Sequence, residues 1–262
     1  MGFVDQEAIN LYSGRYDKKG LNRLFPNVEK GCINFGYWET IPPIISTSER
    51  VESQLNLYMK IFSYSELNER NTKLLEVGCG RGHGVALLNQ IGMNAYGIDP
   101  VDKQIKTSKS NYPLLKDRYL LGSSSQIPFN DNYFGRIISL EAAQHFPSFE
   151  LFAKECFRVL SFQGLMTIST FFYRSQAAES KINDFLPANI SGVHHAISID
   201  LAKDLLKSAG FFQIQSFSIG EKVFAGYCQW ANQLDIDTPH SSKWVNAYRE
   251  GLIDYYILKG RK

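Results

Sequence analysis

Apolar and polar positions along the chain alternate between two textures. Short apolar runs at Leu74-Leu75-Glu76-Val77, Ala95 to Ile98, Tyr119-Leu120-Leu121, Ile137-Ile138-Ser139-Leu140 and Leu165 to Thr170 have the length and residue types of buried strands. Between them, His83 to Ile91, stopped by Gly92, and Val101 to Ser110 read as helices. Ser148 is placed to cap a further helix running to about Leu160. Strands alternating with helices imply a parallel sheet covered on both faces. Toward the C-terminus the pattern predicts a polar loop to about Ala196, a helix over Asp200 to Ala209 ended by Gly210, and a strand over Phe211 to Ser218. A last strand follows over Ile253 to Lys259. The segment between these two strands, with Trp230 and Trp244, is expected to be helical and to cover one end of the sheet.

Residues 1–70 read as a helical cap with a loop. Ser46-Thr47-Ser48-Glu49 has capping-box spacing. Val51, Leu55, Tyr58, Met59 and Phe62 follow on one helical face. Before them Gly31 to Trp38 is rich in aromatics, and Pro42-Pro43 breaks any helix. The expected organisation is a cap over 1–70 and a main domain over 71–262, with insertions at 173–196 and 220–250 serving as lid or cap.

Composition narrows the classes. With 28 Lys plus Arg against 26 Asp plus Glu, the net charge of +2 offers no footprint for nucleic acid or anionic lipid. No apolar run approaches the roughly 20 residues that cross a bilayer. Residues 1–10 lack the basic-then-apolar run of a signal peptide. Cys32, Cys79, Cys156 and Cys228 lie far apart with no C-x-x-C pair, so reduced thiols in a soluble, cytoplasmic protein are expected, with no metal.

The most informative segment is Glu76-Val77-Gly78-Cys79-Gly80-Arg81-Gly82-His83-Gly84, between the first strand and its helix. Glycines let the chain turn sharply and a ligand approach closely, and the helix start beyond offers free N–H groups. A dinucleotide loop reads G-x-G-x-x-G. Counting from Gly78, its third glycine falls on His83. A carboxylate at Glu76 would also repel a pyrophosphate but suit an ammonium. Donors at one end and a carboxylate at the other complement a zwitterionic amino acid, such as the methionyl end of S-adenosylmethionine. The alternative for Glu76 is a carboxylate that merely ties down the loop. Asp99, at the end of the second strand, can accept both ribose hydroxyls, or can serve as an N-terminal helix charge.

Taken together, Glu76 to Gly82, Gly97-Ile98-Asp99-Pro100, Gly122 to Phe129 and Ser139 to Pro147 resemble, in order and spacing, the class I S-adenosylmethionine-dependent methyltransferases. The likeness covers residues 71–172 and weakens beyond. It implies a Rossmann-like α/β fold with a seven-stranded, mostly parallel sheet and an antiparallel last strand. Within that superfamily the chain is similar to small-molecule enzymes that tailor natural products and methylate quinones, tocopherols or sugars. Asn34-Phe35-Gly36-Tyr37-Trp38 and Gly251 to Tyr256 resemble segments of those enzymes. The resemblance implies S-adenosylmethionine as cofactor, S-adenosylhomocysteine as product, and cofactor contacts from Glu76, Gly78, Gly80, Gly82, Asp99, Pro100, Ser123, Ser124 and Leu140. It departs at Ser123, where the family often has an Asp that reads the adenine amino group. Adenine recognition is then expected to shift to Ser125 or Gln126.

Methyl transfer is an in-line displacement, assisted by proximity and, for a hydroxyl acceptor, by a general base. His145, past the fourth strand, is the candidate base, since an imidazole titrates near neutral pH. Glu141 would orient its ring if that segment were helical, or shape the pocket. Tyr16, Tyr37, Trp38 and Glu141 are candidate acceptor contacts, with ordinary cap packing as the alternative for the aromatics. His194-His195 lies in the predicted lid as an acceptor contact or plain loop, and His83 is expected to be structural. The expected function is O-methylation of a small molecule, with C- or N-methylation or a non-catalytic cofactor-binding module as alternatives. A nicotinamide-dependent oxidoreductase is disfavoured by the missing glycine at 83. An exposed aromatic cap would also let two chains pair as a homodimer.

Overall fold

Leu74, Leu75 and Val77 are buried on both faces of a strand, β1 (Lys73–Val77), as expected of a central parallel strand. The computed structural model describes residues 23–26, 32–67, 72–182, 195–235 and 238–262. Around β1 run β2 (Asn94–Asp99), β3 (Tyr119–Leu121), β4 (Phe134–Leu140), β5 (Leu160–Tyr173), β6 (Phe212–Ser218) and β7 (Ile253–Arg261). They form one sheet in the order β3-β2-β1-β4-β5-β7-β6. β1 pairs in parallel with β2 and β4, β2 with β3, and β4 with β5. β7 inserts antiparallel between β5 and β6. The seven-stranded sheet with an antiparallel last strand is therefore as expected. The chain reverses direction across the sheet at β1, so a crevice opens beyond the C-terminal ends of β1 and β4.

Helices α1 (Thr47–Tyr64), α2 (His83–Gln90), α3 (Asp102–Asn111), α4 (Phe149–Val159), α5 (Gln176–Ile182), α6 (Ile199–Ser208), α7 (Phe224–Gln233) and α8 (Thr238–Arg249) complete the chain. No helix among the described residues is long and apolar enough to cross a membrane. Two apolar layers flank the sheet, one holding Leu57, Ile61, Ile138 and Phe171, the other Val77, Ile137, Phe152 and Leu206.

The capping box at Ser46 forms as read: its hydroxyl accepts from the Glu49 N–H, and the Glu49 carboxylate takes the Ser46 N–H at 2.7 Å. Ser46→Ala is expected to cost about 1 kcal/mol, lowering the melting temperature by ~2–4 °C in a calorimetric scan. The buried face of α1, however, is Arg50, Ser53, Gln54, Leu57, Tyr58, Ile61 and Phe62. Met59 is 44% exposed, and Val51 and Leu55 are only partly buried. Tyr58 and Phe62 are buried as expected, but the helix is turned from the rest of that face because Arg50 and Gln54 go inward to bond the segment before it, with Ser53 bonded within the helix to Arg50 O. Gln54 Nε2 donates to Cys32 O at 2.6 Å and Arg50 Nη2 to Asn34 O at 2.6 Å. Apolar periodicity misreads a face that is polar by design.

The stretch after β5 also departs from the expected loop. It contains α5, while 183–194 lie outside the described residues. β5 runs past Thr170 because Phe171, Phe172 and Tyr173 pair with Tyr255, Asp254 and Ile253 of β7. The segment before α1 packs against α7: Trp38 N–H donates to Lys222 O at 2.8 Å, and Gln233 exchanges two 2.7 Å hydrogen bonds with Ile45.

Candidate active site

The loop after β1 is held by the neighbouring strand. Gly78 and Cys79 N–H groups both donate to Ile98 O, at 2.9 and 3.0 Å. Gly80 N–H donates to Asp99 Oδ2 at 3.0 Å, and Val101 N–H to Asp99 Oδ1 at 3.0 Å. Asp99 thus binds the loop and the approach to α3 together. A carboxylate at such a strand end is of the kind that accepts from ribose hydroxyls. Gly80 stands at φ +51°, and a Cβ built there would meet nothing within 4 Å, so this face of the loop is open to a ligand. Gly82 is the residue before α2.

Glu76 is 2% exposed and sits in register between Gly97 and Ile138. Its carboxylate lies over the start of α2, where a Cβ on Gly84 would be 2.4 Å from Oε1. Burial pushes its pKa up to about 8; the Val85 N–H donates to it and pulls down, while the Asp99 charge adds to the rise. Glu76 Oε2 is buried with no hydrogen-bond partner among the described residues. An orphaned buried acceptor costs about 1–3 kcal/mol. Glu76 therefore does tie down the loop, and it also presents an unsatisfied oxygen of the kind an ammonium fits.

After β3, Gly122 N–H donates to Asp99 O at 3.2 Å, Ser124 is 5% exposed, and Ser123 Oγ lies 3.3 Å from Ser125 Oγ. Pro100 is exposed beyond β2, and Leu140 is buried at the end of β4.

Glu141 ends the β4 ladder by donating its N–H to Ser169 O at 2.8 Å, and its backbone stands at φ +48°. A non-glycine residue held there costs of order 1–3 kcal/mol, and such residues cluster at functional sites. The following turn, Ala143–His145, is a short 3₁₀ segment. Glu141 and His145 do not share a helical face, which corrects the orienting role. Instead Glu141 Oε1 accepts from Phe35 N–H at 2.9 Å and from Tyr255 Oη at 3.0 Å. Burial pushes its pKa up to about 7, against the pull of Phe35 N–H, Tyr255 Oη and the Arg50 charge. Its surface is nonetheless only partly buried.

Gln144 is the group that meets His145. Its Nε2 donates to Glu141 O at 2.9 Å, its Oε1 accepts from Thr170 Oγ1 at 2.6 Å, and its Nε2 is 3.2 Å from His145 Nε2. A carbonyl only accepts, so Glu141 O sets the amide orientation and makes His145 Nε2 the acceptor. Gln144 O also accepts from His195 N–H at 2.7 Å, which brings the predicted lid stretch to this edge. Tyr16 and His194 lie outside the described residues. Tyr37 and Trp38 are buried; the Trp38 ring packs on Gly226 of α7. His83 Nδ1 meets Tyr112 Oη at 3.0 Å. Sequence reading passed over Phe35, Arg50, Gln144 and Tyr255 as site residues. Only the aromatic richness of 31–38 hinted at one of them.

Residues 75–168 match the family described as a methyltransferase domain. The chain is 27% identical over 221 residues to a probable phthiotriol/phenolphthiotriol dimycocerosates methyltransferase of Mycobacterium ulcerans, covering 82% of this chain and 74% of that protein. It is 28% identical over 178 residues to the mitochondrial ubiquinone biosynthesis O-methyltransferase of Bos taurus, covering 63% of this chain and 48% of the relative. Geranyl diphosphate C-methyltransferase from Streptomyces coelicolor shares the fold, with a TM-score of 0.80 at 14% identity over 100% of this chain and 98% of that one. Residues 75–168 thus match a methyltransferase domain, and the sheet order, the glycine loop with its two strand-end carboxylates and these likenesses support the class I S-adenosylmethionine-dependent type.

Proposed function

We propose that the protein transfers the methyl of S-adenosylmethionine to a hydroxyl of an apolar, partly aromatic small molecule. The observation that carries this reading is the aromatic wall around Phe35 beside the end of β4. The Phe35 ring, partly exposed, lies 4.7 Å from Tyr227, 5.2 Å from Trp244 and 6.5 Å from Tyr255, centroid to centroid. The two named relatives support it, since one is named a probable phthiotriol/phenolphthiotriol dimycocerosates methyltransferase and the other an O-methyltransferase of ubiquinone biosynthesis. The bound cofactor supplies a methyl already activated by a sulfonium. Glu76, Gly78, Gly80, Gly82, Asp99, Pro100, Ser123, Ser124 and Leu140 would hold it, with Glu76 Oε2 toward the amine and Asp99 toward the ribose. The chain's remaining task is to place the acceptor, exclude water and take a proton. The described residues of the cap and of the insertion at 220–250 would wall the acceptor, while residues 183–194 of the other insertion lie outside the described part.

His145 is the proposed proton acceptor, through Nε2, with the Gln144 amide giving way as the acceptor docks. A second reading assigns the proton to Glu141, favoured by its partly exposed place at the end of β4 beside Phe35 and a pKa of about 7. The chemistry is tested by titrating the protein with S-adenosylmethionine calorimetrically, then incubating it with long-chain phenols, secondary alcohols and prenyl quinols and following S-adenosylhomocysteine. Turnover with a hydroxylated lipid is expected. Product only from prenyl acceptors methylated at carbon would overturn O-methylation, and absence of cofactor binding would overturn the whole reading.

A further inference from the structure

The least expected side chain of the cap is Arg50. It is 0% exposed, yet no carboxylate stands within ion-pair distance of it among the described residues. Its Nη2 donates to Asn34 O at 2.6 Å, and its Nη1 to Phe35 O at 3.2 Å and Ser53 Oγ at 3.1 Å. Its Nε has no partner. The guanidinium lies 5.5 Å from the ring centre of Phe25, 5.9 Å from Trp38 and 5.8 Å from Tyr227. Three ring faces offset part of the desolvation of a buried cation, but a counter-charge is still called for.

That counter-charge lies one peptide away. The carbonyl of the Asn34–Phe35 peptide accepts from Arg50, and the N–H of the same peptide donates to Glu141 Oε1. A peptide dipole held between a cation at its oxygen and an anion at its hydrogen is polarised by both, so each strengthens the other's bond. We propose that Arg50 is a positioning residue for the site, acting on the Glu141 carboxylate through the Asn34–Phe35 peptide. The arrangement holds Phe35 against the end of β4 and favours the charged state of Glu141.

The other titratable groups facing this pair are Cys32 and Tyr58, whose ionisation burial pushes up, and Tyr255 and Tyr227. Cys32, Tyr58 and Tyr255 stay neutral around pH 7; the Tyr227 phenol also bears on the Arg50 charge, and Glu141 is the carboxylic acid among these described groups. The proposal rests on the methyltransferase reading only for the importance of Glu141, and its test needs no acceptor.

In full-length protein labelled with ¹³C at glutamate Cδ, subtraction of the Glu141→Gln spectrum isolates the Glu141 titration. Arg50→Met is expected to move its midpoint up by about one pH unit or more, and Arg50→Lys, which keeps the charge but loses the fork, by less. Ser53→Ala, which touches the same guanidinium without bearing on the peptide, should leave it in place. In the wild type the Phe35 amide resonance should titrate with the same midpoint. An unmoved midpoint in folded Arg50→Met would overturn the proposal. So would a Phe35 amide indifferent to Glu141 titration, a reading available even if the Arg50 variants do not fold. A shifted midpoint with turnover insensitive to Glu141→Gln would support the proposal and remove only Glu141 as proton acceptor.

Discussion

Glu76→Gln should weaken S-adenosylmethionine binding by about tenfold to a hundredfold, the worth of a charge-assisted hydrogen bond, while leaving the ligand-free protein as stable or more stable at pH 8. The two effects part company for one reason. Glu76 is buried, and its pKa rises from the usual 4.5 to about 8. Between those values the folded state holds a proton that the unfolded chain releases, so stability falls as pH rises through that window. The amide removes that loss and keeps an oxygen for the Val85 N–H. An ammonium seated on Oε2 favours the carboxylate, so cofactor binding at pH 7 should expel a proton. Calorimetric heats should then vary with the ionisation enthalpy of the buffer, and affinity should climb from pH 6 to 8. Equal affinity of wild type and Glu76→Gln, with buffer-independent heats, would show that Glu76 serves the loop alone.

The second large effect concerns the proton. Loss of a general base typically costs 10²–10⁴-fold in rate, so one of His145→Ala and Glu141→Gln should fall that far in kcat while binding the cofactor as before. Their pH profiles separate them. If Glu141 accepts the proton, kcat/KM of the wild type rises with pH to a plateau with a midpoint about 7, set by burial of the carboxyl. His145→Ala keeps that midpoint and Glu141→Gln abolishes it. If His145 is the base, Glu141→Gln retains most of the rate. Full rate in both variants would leave positioning as the enzyme's contribution.

Much of the fold can be read along the chain because it is written in local signals. Tyr119–Leu121 coincides with β3, Gly92 and Gly210 follow the ends of α2 and α6, and Ser148 caps α4 by accepting from the Leu151 N–H. The strands follow from apolar runs that only burial on both faces explains, and the glycine loop lies where strand and helix meet. What pattern could not reach is the inward polar face of α1 and the turn at Glu141. The helical spacing that would have let Glu141 orient His145 is absent, and a left-handed residue and a 3₁₀ turn stand there, since Ser169 O, Phe35 N–H and Tyr255 Oη hold Glu141 from three separate parts of the chain.

By itself, then, the sequence determined the order of strands and helices, the glycine loop and the two carboxylates at strand ends, because each depends on residues a few positions apart. Only the tertiary structure decided which polar side chains are buried and what they face. Arg50, Phe35, Glu141 and Tyr255 come from four distant segments. Hydrogen bonds across such separations depend on packing geometry, and no periodicity along the chain encodes them.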